Sequence, residues 1–241
     1  MRLDKFIVES GLATRTEVAK AARSGAITVN GNVVRKAGQH IDPTADEIKY
    51  CGKVVIYREF TYVMLNKPTG YVSSTDDDKS PTVLTLLPAE LQKIGLFPCG
   101  RLDKNTLGLM ILTNNGPLSH KLLAPKNHVS KKYRFTVKFP ISDDDVSALE
   151  SGVDIGGYVT APCKVEMVGE KEGYITLTEG KYHQIKLMAE AVHNQITYLE
   201  RVTFGPITLD EDLERGQWRH LTEEEQELLE AHGKAIKDIH A

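Results

Sequence analysis

Residues 107–112 read LGLMIL, five large apolar side chains interrupted only by Gly108. Successive residues of a strand point to opposite faces of a sheet, so a run that is apolar at every position must bury both faces. It belongs in the interior of a sheet, not at its edge. Immediately upstream, residues 100–106 (GRLDKNT) form a polar loop that carries Arg101 and Asp103. A lone carboxylate therefore hangs near the end of a rigid element. Two readings are open from these residues alone: an Arg101–Asp103 surface ion pair that holds the loop, and a carboxylate aimed for chemistry.

Two later segments set polar groups beside apolar ones. In residues 130–139, SKKYRFTVKF, Tyr133, Phe135, Val137 and Phe139 alternate with Lys132, Arg134, Thr136 and Lys138, the period of a strand with one apolar and one basic face. Tyr133 is either the first core aromatic of that strand or a ring at a cleft edge, able to stack on a nucleobase next to cations suited to phosphates. In residues 179–193, EGKYHQIKLMAEAVH, the residues Ile185, Met188, Ala189 and Val192 recur at helical spacing, with Lys181 and Lys186 off that stripe. Lys186 is a solvated lysine or, if the helix starts at the same cleft, a cation that can meet Asp103 and favour its ionised form. Spacing does not choose between the two.

The N-terminal part has a different grammar. Thr14 followed by Glu17 has the spacing of a capping box, which predicts a helix over Arg15 to Ser24 ended by Gly25. Val18, Ala21 and Ala22 share its inner face, leaving Arg15, Lys20 and Arg23 to solvent or phosphate. Asn30-Gly31 then predicts a tight turn between strands at Ile27–Val29 and Val33-Val34, and short strands flank Gly52 between Ile48 and Tyr57. A domain boundary is expected near residues 58–60, giving a small domain over 1–58 and a larger one over 60–241.

Charge is segregated along the 241 residues. Residues 1–60 hold 10 Lys+Arg against 7 Asp+Glu, residues 61–140 hold 11 against 5, and residues 141–241 hold 9 against 21. Such a chain can present a basic face to phosphates while an acidic part keeps it soluble. The charged opening MRLDKFIVES, and the lack of any apolar run near the ~20 residues that span a bilayer, set the expectation of a cytoplasmic protein without membrane contact. Cys51, Cys99 and Cys163 are odd in number and too far apart to pair as metal ligands, so they are read as reduced bystanders. The run Asp76 to Asp78 lacks the spaced ligands of a calcium loop and is read as a mobile turn. His183 has no partner at ligand spacing and is read as structural or RNA-contacting, so no metal or cofactor is expected.

The stretch RLDKFIVESGLATRTEVAKAARSGAITVNG resembles the alpha-L motif, a small RNA-binding fold first named after a small-subunit ribosomal protein. The resemblance places a basic RNA-facing surface on Arg15, Lys20, Arg23 and Lys36. Taken together, LNKPTGYVSS, GRLDKNTLGLMILTNNG, KKY and EGKYHQIKLM resemble the successive motifs of the pseudouridine synthase family that modifies ribosomal RNA and carries an alpha-L domain at its N-terminus. The likeness runs through GQWRHL near the end.

The resemblance implies an α+β protein: a helix-helix-hairpin domain, then a catalytic domain with a mixed, mainly antiparallel sheet flanked by helices. It implies isomerisation of a uridine to pseudouridine without cofactor, with Asp103 as the catalytic carboxylate, and Arg101, Leu102, Tyr133 and Lys186 against the substrate. Lys132 joins the RNA-binding set. Lys186 departs from the arginine more usual in the family, and a lysine lacks the bidentate fork of a guanidinium. The short length and the MRLDKFI opening point within the family to small-subunit ribosomal RNA, naked or in an assembling particle, and to a monomer. Large-subunit RNA as substrate, or a non-catalytic assembly factor, are the alternatives.

Overall fold

The structure, a computed structural model, describes residues 1–56 and 59–235, and the chain divides into two compact units. The first comprises Met1–Thr61 together with Leu87–Leu96; the second comprises Tyr62–Leu86 and the chain from Phe97 onward. Of the boundary expected near residues 58–60, residue 58 lies outside the described residues.

In the first unit, α1 (Leu3–Glu9) and α2 (Arg15–Ser24) lead into the strands β1 (Ile27–Val29), β2 (Asn32–Val33), β3 (Ile48–Tyr50) and β4 (Lys53–Val54), ordered β2-β1-β3-β4 in one antiparallel sheet. The start of α2 follows from local chemistry. Thr14 Oγ1 accepts the amide of Glu17 at 3.3 Å while the Glu17 carboxylate accepts the amide of Thr14 at 2.7 Å, so two donors that a helix start leaves open are satisfied. Asn30 and Gly31 both adopt positive φ, 51° and 78°, the geometry that matches a two-residue hairpin to the twist of its strands. Leu3, Phe6, Ile7, Val18, Ala22, Ile27 and Ile48 form the core of this unit. The short helix α3 (Ala89–Gln92) belongs here as well: a Cβ added to Gly11 would stand 2.4 Å from the carbonyl oxygen of Glu90.

The second unit is built on one sheet. Its strands are β5 (Tyr62–Lys67), β6 (Phe97–Pro98), β7 (Leu107–Thr113), β8 (Lys131–Val137), β9 (Lys164–Met167), β10 (Glu172–Leu177), β11 (Ile196–Phe204), β12 (Ile207–Thr208) and β13 (Trp218–His220). The helices are α4 (Gly116–Leu123), α5 (Asp143–Ser151), α6 (Gln184–Ala191) and α7 (Glu223–Ala235). Spatial order is β13-β5-β7-β11-β8-β10-β9, with β6 beside β7 and β12 beside β11. Every pairing is antiparallel except that of β7 with β11, so the sheet is mixed.

β7 takes the interior position its composition demands, with Leu109, Met110, Ile111 and Leu112 fully buried between β5 and β11. Gly108 has a specific cause. Its φ is +95°, and a Cβ there would lie 2.3 Å from the Arg201 carbonyl oxygen on β11, so only glycine lets the two parallel strands approach. On β8 the residues Tyr133, Phe135 and Val137 are buried as alternation requires, but Phe139 lies beyond the strand end and is exposed.

Candidate active site

The loop between β6 and β7 sets Arg101, Leu102 and Asp103 on the wall of a cavity of about 680 Å³, which Tyr133 from β8 and Lys186 from α6 also line. Hydrogen bonds on both flanks hold the loop. The Leu102 amide donates to Ser73 Oγ at 3.0 Å, and that hydroxyl donates back to the Leu102 carbonyl at 2.8 Å. The Thr106 amide donates to the Asp103 carbonyl at 3.0 Å and closes the turn into β7.

Beneath that turn lies a buried cation. The Lys67 ammonium, at the end of β5, donates to the carbonyls of Pro68 and Lys104, each at 3.1 Å, and of Thr106 at 2.9 Å. Three donors meet three acceptors, which offsets the cost of removing a charge from water. Burial pushes this ammonium down to about 8, against the attraction of Asp103 and with the repulsion of Lys186 and Arg201. Arg201, also buried, donates through Nε to the Leu109 carbonyl at 2.8 Å and lies 5.2 Å from the Phe204 ring centroid. Two interior cations thus brace the strand and turn that carry Asp103.

The carboxylate itself is about a quarter exposed and has a different neighbour on each oxygen. Lys186 Nζ donates to Oδ2 at 2.6 Å, and His183 Nε2 stands 3.7 Å from Oδ1. Lys186 reaches it because Ile185, Met188 and Ala189 bury the inner face of α6, which turns the neighbouring position to the cavity. Tyr133 faces Arg201 and Ile175 across its two ladders and, at 9% exposed, is both part of the buried core and a lining residue of the cavity. A positioned carboxylate beside an ammonium and an aromatic ring can act as a nucleophile or as a base on a planar ligand held against the ring.

The other expected contacts fall elsewhere. Lys132 points to the opposite face of β8 from Tyr133, pairs with Glu166 at 2.8 Å and lies 4.6 Å from the Tyr174 ring centroid. Hydrogen bonds from Lys132 and Lys164 hold the Glu166 carboxyl down at about 2. Lys132 is therefore absent from the cavity wall. In the first unit Arg15, Lys20, Arg23 and Lys36 are all exposed. Within the Asp76 to Asp78 turn, the Asp77 carboxylate accepts the amides of Lys79 at 2.9 Å and Ser80 at 2.7 Å. Among the described residues no group of three His, Cys, Asp or Glu could hold a metal ion.

Sequence reasoning missed Ser73, Lys67 and Arg201 as supports of the loop. A lysine closing the apolar run of residues 62–65 is a legible hint of a buried cation, as is an arginine in the strand that pairs with β7. Nothing around Ser73 signals its role.

Comparison with known proteins gives this geometry a context. A family model described as RNA pseudouridylate synthase matches residues 61–191, and one described as S4 domain matches residues 1–48. An uncharacterized RNA pseudouridine synthase from Bacillus subtilis is 47% identical over 234 residues, covering 95% of this chain and 98% of its own. Ribosomal small subunit pseudouridine synthase A from Escherichia coli is 40% identical over 228 residues, covering 93% and 98%. A crystal structure of a pseudouridylate synthase aligns over 95% of this chain and 99% of its own, at 37% identity and a TM-score of 0.67.

Proposed function

The chain belongs to the RNA pseudouridylate synthase family and carries an RNA-binding S4 domain at its N-terminal end, and we propose that it isomerises a uridine of small-subunit ribosomal RNA with Asp103 as the catalytic carboxylate. The observation that carries the assignment is the 2.6 Å contact between Lys186 and Asp103 in a cavity also lined by Tyr133. The named substrate of the Escherichia coli relative supports the choice of RNA.

In the reaction the bond from ribose C1′ to uracil N1 breaks, the uracil turns over, and C5 bonds to C1′. N1 gains a proton and C5 loses one, so atoms balance without an oxidant or reductant. Asp103 starts the sequence either as a nucleophile at C1′, as glycosidase carboxylates do, or as a base on the ribose. Lys186 holds one carboxylate oxygen and leaves the other towards the ligand. Tyr133 packs on the uracil, and Arg101 grips phosphate or fills the space left by a flipped nucleotide, since the reacting atoms are inaccessible in a stacked strand. The first unit supplies affinity through Arg15, Lys20, Arg23 and Lys36. The protein works as a monomer in the cytoplasm, on RNA that is free or within an assembling subunit.

Tritium release from transcribed small-subunit ribosomal RNA carrying 5-tritiated uridine tests the reading. The parent should release tritium and Asp103→Asn should not, while both bind the RNA with similar affinity. Release by Asp103→Asn near the parental rate refutes the catalytic role. Absence of release by the parent on every ribosomal RNA would favour a non-catalytic assembly factor.

A further inference from the structure

Next to Asp103 the rim of the cavity carries a feature that the reaction chemistry leaves unused. Tyr182 and His183 both line the cavity, and their rings stack with centroids 3.9 Å apart and planes inclined by 16°. Tyr182 is nevertheless 78% exposed, the most exposed of the large apolar side chains among the described residues. One ring face lies on the imidazole, and the other is open to solvent. A single exposed tyrosine is ordinary. This one is held in place at the rim of a site, and that is not.

The turn that presents it is fixed from several sides. Gln184, buried, accepts the Lys181 amide at 2.9 Å and donates to Glu179 at 2.6 Å. Glu179 in turn accepts the Ala161 amide at 3.0 Å and the Tyr158 hydroxyl at 2.7 Å. His183 adopts φ +50°, a left-handed conformation that side-chain-bearing residues take at a cost. That conformation points its imidazole at Asp103, 3.7 Å away, and lays its ring under Tyr182. Lys181 is engaged elsewhere, 4.1 Å from the Tyr158 ring centroid. A rigidly presented aromatic face loses little freedom when a flat ligand lands on it.

We propose that Tyr182, backed by His183, is a stacking platform for a nucleobase of the substrate RNA that neighbours the uridine entering the cavity. The inference rests on the reading of this cavity as the RNA site. Flipping one nucleotide out of a strand strips its neighbours of a stacking partner, and an aromatic face at the rim replaces that partner. Stacking of this kind tolerates any base but favours purines, whose larger faces cover more of the ring. Tyr182 thereby selects for sequence context beside the target while Asp103 does the chemistry.

The test separates binding from turnover. With the tritiated ribosomal RNA, Tyr182→Ala is expected to raise KM by roughly 5- to 150-fold, the equivalent of ~1–3 kcal/mol for one stacked base, with the loss in KM rather than kcat. Tyr182→Phe keeps the ring and is expected to restore KM. A KM for Tyr182→Ala within twofold of the parent overturns the proposal. Tyr182→Trp supplies a readout that needs no turnover: its emission should be quenched as the same RNA is titrated in, beyond any change seen with the parent, whose single tryptophan is Trp218. Unquenched emission at RNA concentrations that saturate binding also overturns it. If the parent releases no tritium, the functional reading fails, and the quenching experiment still decides the platform.

Discussion

Two sets of cations serve this protein in opposite ways. Arg15, Lys20 and Arg23 stand exposed along one helix, whereas Lys67 and Arg201 are buried and Lys186 is half-buried around one loop. The exposed set keeps full hydration and can meet phosphates in many geometries, so its members are interchangeable and screened by salt. Each member of the interior set is committed to named acceptors: Lys67 to three carbonyls, Arg201 to Leu109 and Lys186 to Asp103. Removing one of these leaves buried acceptors unpaired or the Asp103 carboxylate without its cation. Charge placed in the interior specifies geometry, and charge on the surface supplies attraction.

The contrast is broken most severely at Gly108, on which the interior set depends. Gly108→Ala forces a Cβ to 2.3 Å from the Arg201 carbonyl at a φ of +95°, and we expect a loss of about 3 kcal/mol or more. Thermal melting should show it, together with loss of tritium release; a melting point within a degree of the parent would mean that β7 and β11 separate without cost. Next comes Lys186→Ala, expected to lower kcat by roughly 10- to 100-fold with unchanged RNA affinity. Lys186→Arg retains a cation and should recover most of that loss. Equal rates for parent and Lys186→Ala would move Lys186 into the interchangeable class.

Arg15→Ala combined with Arg23→Ala probes the exposed set. Affinity for ribosomal RNA should fall several-fold at low salt, and the slope of log affinity against log salt should become shallower by about 1.5, since two phosphate contacts are lost. The kcat at saturating RNA should not change. A parental salt slope would show that α2 does not face RNA.

The smallest effect concerns Lys67 and pH. Its folded value of about 8 lies below the ordinary 10.5, so between those values the unfolded chain binds the extra proton and this residue's contribution to stability rises with pH. Below about 8 the ammonium is charged in both states and the full burial cost stands. Between pH ~8 and pH ~9 the urea midpoint of the parent should gain on that of Lys67→Met, by about 1 kcal/mol in stability. A constant difference between the two would show that burial does not lower the Lys67 ammonium.

Much of this architecture is written locally. The capping box at Thr14 and Glu17, the Asn30-Gly31 turn and the interior position of residues 107–112 follow from backbone donors, allowed φ and strand alternation, all short-range in sequence. Phe139 shows the limit of alternation, because the pattern continues past the point where the β8 ladder ends and leaves the ring exposed. The α3 segment shows another: 87–96 reads as part of the second domain by position, yet it packs with the first.

From sequence alone came the existence of α2, its hairpin and the central strand, and two open readings for each of Asp103, Tyr133 and Lys186; resemblance to a family chose among those readings. Only the tertiary structure brought Lys186, 83 residues away, to 2.6 Å from Asp103, put Lys67 and Arg201 beneath the loop, and stacked Tyr182 on His183 at the rim. The physical reason is that periodicity and capping report which face of an element is buried, through interactions a few residues long. Which side chains meet across a cavity depends on the order and register of strands far apart in the chain, and that order is decided when the whole sheet assembles.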